Sequence, residues 1–77
     1  MAETWKFPEA VKWARRDVNE LNDGRSPDEI LRMVRQERKS IERCNWADVG
    51  DGYAAAYEHA AREQLQVLMA RAEVGRG

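Results

Sequence analysis

Seventy-seven residues carry 13 Lys and Arg against 14 Asp and Glu, a net charge of −1 in a chain of 8.9 kDa. One domain spanning residues 1–77 is the expectation, too small for a barrel, a two-domain enzyme or a doubly wound nucleotide-binding fold. Such a core supplies only ~3–5 kcal/mol net, and with one cysteine, Cys44, and one histidine, His59, neither an internal disulfide nor a four-ligand zinc site reinforces it.

The first helix is expected from Pro8 to Leu21. Pro8 suits the first helical position, where its missing N–H costs nothing, and Glu9 complements the dipole in the first turn. Phe7, Val11, Ala14, Val18 and Leu21 recur at three- and four-residue steps and form one apolar stripe. Asn22-Asp23-Gly24 is a stop signal. Trp5, ahead of the helix, is expected to fold back on the core edge as a lid.

The second helix opens with Ser26-Pro27-Asp28-Glu29, the clearest local signal in the chain. Ser26 can cap the Glu29 N–H, and Glu29 can reach back in a capping box. The helix is expected over 27–45, with Ile30, Met33, Val34, Ile41 and Cys44 on one face. The stretch from Trp46 to Gly52 reads as a turn, with Asp51 a candidate N-cap for the next helix.

The third helix is expected over 53–74 with Gly75 as its C-terminal cap. Tyr53, Tyr57, Ala60, Ala61, Leu65, Leu68 and Ala72 line one side. Val67 and Met69 widen that face to roughly 200°, more than one neighbour covers. An all-α three-helix bundle follows. The alternative is a helical hairpin that completes its core by dimerising, with a homodimer through helix 3.

The most informative charge pattern is on helix 2. Arg32, Arg35, Lys39 and Arg43 fall within roughly 80° of a helical wheel, opposite the Ile30–Val34–Ile41 stripe. This basic ribbon is either a solvated face paired with acidic neighbours or a docking surface. Trp46 falls in the same arc if the helix continues that far, and Trp13 flanks the stripe of helix 1 as a core rim or an exposed anchor. Arg32, Arg35, Lys39, Arg43, Trp46 and Trp13 are therefore the candidate partner-binding residues, since Trp and Arg dominate interface energetics.

The chemistry of an enzyme is not in evidence, and no cofactor or metal is expected. Gly50-Asp51-Gly52 is too short and acidic for a phosphate loop. Asp48-Val49-Gly50-Asp51-Gly52 lacks the ligand spacing of a calcium loop. Cys44 and His59 sit on different expected helices with no third group to orient them. A helix-turn-helix reading of helices 1 and 2 meets Asp28 and Glu29 where base contacts are made.

No motif is specific enough to name a family. The leading expectation is a non-enzymatic module that binds a larger protein or complex stoichiometrically as an inhibitor or adaptor, a class that includes phage proteins directed against host defence. The alternative is a small DNA-binding regulator using the basic face of helix 2, nucleic acid being the less favoured partner. A near-neutral chain has no global pull toward nucleic acid or an anionic membrane. No apolar run approaches the ~20 residues of a membrane span. Residues 1–7 carry Glu3 and Lys6 and no apolar signal segment, so a cytoplasmic location is expected, with no membrane partner.

Overall fold

The computed structural model describes residues 4–43 and 50–76, with side chains over 4–43 and 52–73. A 3-10 turn at Thr4–Lys6 precedes three helices, α1 Pro8–Leu21, α2 Pro27–Arg43 and α3 Gly50–Arg76. The described residues form a three-helix bundle without strands. The third helix supplies within one chain what the hairpin alternative would have taken from a second copy. Its longest dimension is 47 Å against 22 and 18 Å across, because α3 alone spans about 40 Å at ~1.5 Å per residue.

The helix starts follow local chemistry. Pro8 stands at the head of α1, and the Phe7 N–H donates to the Thr4 carbonyl at 3.0 Å. The Glu29 N–H donates to Ser26 Oγ at 3.3 Å, the forward half of the expected capping box. The α1–α2 turn passes through Gly24 at φ 84°, a left-handed conformation that only glycine adopts without strain. Between them the two signals place α1 and α2 antiparallel.

α3 is the central element, and both other helices pack along it while barely touching one another. Phe7 lies against Gly52 and Tyr53, and Asp17 and Asn19 bond Tyr57 and Gln64, so α1 runs parallel to α3. Arg38 reaches Glu58, while Pro27 and Leu31 share a groove with Leu65 and Met69, so α2 runs antiparallel to it. The middle of the α3 face is thus occupied from both sides, Leu65 being 4% exposed within the single chain, while Val67 and Met69, which widened the expected face, are 42% and 45% exposed. That width does not by itself call for a second copy.

The buried set is Ala10, Ala14 and Val18 of α1, Ile30 and Val34 of α2, and Ala54, Ala56, Tyr57, Ala60, Ala61 and Leu65 of α3. Phe7, Val11, Leu21, Leu31, Ile41, Tyr53 and Leu68 pack around it. On α1 the stripe is rotated toward Ala10, which the expected stripe left on the Trp13 flank. A small residue there lets α1 approach the alanine face of α3 closely.

Several expectations are corrected. α3 begins at Gly50, not Tyr53, and continues through Gly75 to Arg76, so Gly75 does not cap it and Asp51 is not its N-cap. Gly52 serves close packing instead of a turn: a Cβ at this position would sit 2.9 Å from the Phe7 ring, which meets Tyr53 edge-on at 6.1 Å. Ala72 is exposed, as are its neighbours 70, 71 and 73, beyond Leu68, the last α3 residue that packs against the core. Trp5 is no lid, being 76% exposed. The 3-10 turn aims Phe7 inward and leaves Trp5 outside, with Lys6 Nζ 5.2 Å from its ring centroid. The expected end of α2 at Cys44 and Asn45 lies outside the described residues.

One buried polar contact ties α1 to α3. The Tyr57 hydroxyl donates to Asp17 Oδ2 at 2.7 Å. Burial first, then the bond to Asp17 and its charge, pushes the phenol far above its ordinary range. Tyr53 is raised too, by burial and then by Glu9 and Asp17.

Two outcomes check this packing. Ile30→Ala lowers the unfolding free energy by about 2–5 kcal/mol, whereas Trp5→Ala changes it by less than about 0.5 kcal/mol, both read by urea denaturation. In alkali, the unfolded phenols ionise near pH ~10 while folded Tyr57 keeps its proton. The native state then binds more protons, and stability falls as pH rises above about 10. Tyr57→Phe makes that slope shallower, Tyr53 accounting for the remainder; denaturation midpoints across this range measure it.

Candidate functional site

The apolar positions of α2 decide which side of it meets solvent. Ile30, Val34 and Ile41 face α3, with Leu31 at the edge of that contact. The opposite arc carries Arg32, Arg35, Lys39 and Arg43, all four exposed. None of them forms an ion pair or side-chain hydrogen bond with another described residue. Three cationic steps of three or four residues stand one above another over about three turns, and like charges so spaced repel.

The neighbouring arginine behaves differently. Arg38 sits between the stripe and the ribbon, its Nε 2.8 Å from Glu42 Oε1 and its Nη1 3.1 Å from Glu58 Oε2 on α3. The hydrogen bond that Arg38 donates to Glu42 raises its pKa most, burial opposes this, and Glu58 adds to the rise. Arg62 approaches the same Glu58 oxygen at 3.8 Å. Arg16 pairs with Glu20 at 3.2 Å, and His59 Nε2 lies 2.7 Å from Glu63 Oε1. Arg16, Arg38 and Arg62 have acidic partners, whereas Arg32, Arg35, Lys39 and Arg43 have none among the described residues.

Of the candidate residues, Arg32, Arg35, Lys39 and Arg43 share α2, while Trp13 lies on α1. Trp13 is 42% exposed, and the Arg16 guanidinium stands 5.2 Å from its ring centroid. The helix that carries it makes few contacts with α2. Trp46, like Cys44, lies outside the described residues. Helix α2 opens with exposed Asp28 and Glu29, acidic where a recognition helix would approach phosphates.

Sequence reasoning missed a groove between the 3-10 turn and α1. Thr4, Trp5, Pro8, Val11, Lys12 and Arg15 line it, around a volume of about 580 Å³. The signal was present, since Pro8, Val11, Lys12 and Arg15 recur at three- and four-residue steps. Assigning Trp5 to the core obscured it. Among the described residues no three His, Cys, Asp or Glu side chains gather as a metal site, and no helix is long and apolar enough to cross a membrane. No family model, curated protein or solved structure matches this chain.

Arg38 is a structural cation, and its removal is visible in stability. Arg38→Ala costs about 0.5–1 kcal/mol, solvent screening limiting a pair this exposed. The loss shrinks as salt is raised toward about 1 M, which thermal melts at several ionic strengths measure.

Proposed function

We propose that this chain is a non-enzymatic, stoichiometric binding module whose α2 ribbon docks against an acidic surface of a larger protein, as an inhibitor or an adaptor. The observation that carries the reading is the division of the cations on and beside α2. Arg38 is paired across the helix contact, while Arg32, Arg35, Lys39 and Arg43 stand exposed and without acidic partners among the described residues. Placing four like charges along one helix disfavours the helix slightly. An acidic partner removes that cost on docking and gains complementarity, which chiefly sets orientation and association rate.

A protein partner is favoured over nucleic acid by charge and by helix arrangement. The net charge is −1, so the field beyond the ribbon is weak. The first turn of α2 is acidic, and α1 does not pack against α2 as the first helix of a helix-turn-helix does. We place the activity in the cytoplasm on the lone cysteine, which fits a reducing compartment.

The test pairs two measurements. Tagged protein expressed in its source cells is isolated with and without Arg35→Glu/Lys39→Glu. The expected result is one partner at near 1:1 ratio with the native chain and its loss with the charge reversal. In parallel, anisotropy of a labelled random duplex is followed at ~50 and ~200 mM salt. Micromolar binding that collapses at the higher salt would replace the protein partner with nucleic acid.

A further inference from the structure

The flank of α1 beside the 3-10 turn carries a second surface with a chemistry of its own. Trp5, 76% exposed, forms one wall of the groove, and Pro8 and Val11 form an aliphatic floor. Lys12 and Arg15 close the end one turn further along α1. Both are exposed, and neither pairs with an acidic side chain among the described residues. Arg16 next to them is committed to Glu20. Lys6 lies against the Trp5 ring and holds it beside the groove mouth.

The two ends of the groove ask for different things. A tryptophan face with proline and valine beside it gains by covering an aliphatic side chain, since exposed apolar area removed from water contributes about 25 cal/mol per Å². The cationic end gains by meeting carboxylates, and an arginine there can take one bidentately. A nucleic-acid strand, charged at every step, would set phosphates over the aliphatic floor. A short peptide with one apolar residue flanked by acidic ones satisfies both ends.

We propose that the groove formed by Trp5, Pro8, Val11, Lys12 and Arg15 is a docking site for an acidic linear peptide segment of a partner protein, anchored by one aliphatic side chain. The site is separate from the α2 ribbon and does not depend on the function proposed for that ribbon. With the ribbon on α2 and the groove on α1, the chain presents two cationic surfaces on different helices, the arrangement an adaptor requires.

The experiment is a heteronuclear NMR titration of the ¹⁵N-labelled full chain. Its probe is a capped peptide of glutamates around a single leucine. The controls are the same peptide with lysine for glutamate, and a short oligothymidylate. The expected result is saturation below about 1 mM, with shifts at the Trp5 indole N–H and the amides of 4–15, and none from the lysine peptide. Trp5→Ala and Lys12→Glu/Arg15→Glu each weaken that binding about tenfold or more, while Arg35→Glu/Lys39→Glu leaves it unchanged. All five substituted side chains are exposed, so each variant keeps its helical circular dichroism and melts no lower than the native chain. Three results overturn the proposal: no saturable shift below that concentration, shifts confined to α2 that the ribbon variant abolishes, or oligothymidylate engaging Trp5 where the acidic peptide does not.

Discussion

The bundle depends on α1 meeting the alanine face of α3 through alanines of its own. Ala54, Ala56, Ala60 and Ala61 of α3 are buried, and Ala10 and Ala14 of α1 come to meet them. Small side chains on both sides allow the helix axes to approach, and packing contact is gained along their length. The large buried residues are then few, with Val18, Ile30 and Val34 the bulkiest that are fully covered. A core of this composition has little apolar area to spare, so polar ties between helices carry weight. Tyr57 to Asp17 holds α1, Arg38 to Glu58 holds α2, and both acceptors of this support lie where α3 meets its neighbours.

The same economy makes the surface informative. A domain with a thin core has reason to pair its charges, and Arg16, Arg38 and Arg62 are paired with Glu20, Glu42 and Glu58. Among the described residues the α2 ribbon departs from that rule, as do Lys12 and Arg15 beside the exposed Trp5. Local departures from what the fold favours are expected where a surface serves binding. Here they occur on the outer sides of α1 and α2, the two helices that flank α3.

Much of the fold was legible because its signals are local. Pro8 and Ser26-Pro27-Asp28-Glu29 fix where α1 and α2 start, since capping chemistry acts within one turn. The ribbon was legible too, because helical periodicity places Arg32, Arg35, Lys39 and Arg43 opposite Ile30 and Val34 whatever the tertiary packing. The misjudged residues are those whose role is set by a distant neighbour. Gly52 reads as a turn former until the Phe7 ring is seen against it. Ala10 reads as a flank until α3 is seen to need a small residue there. Trp5 reads as a lid on the core edge ahead of α1, but the 3-10 turn places Phe7 inward instead. The role of Arg38 is set by Glu58, twenty residues on and on another helix.

The central claim is that the ribbon cations are kept for binding and contribute nothing to the fold. It is tested most directly by thermal melts of the free protein and of Arg35→Gln/Lys39→Gln over a range of salt. The account predicts that the variant melts at or above the native chain at ~10 mM salt, by relief of like-charge pairs each worth ~0.2–0.5 kcal/mol. The difference should fade by about 1 M salt. A variant that melts several degrees lower at every salt would show that these side chains hold the bundle together, and would contradict the account.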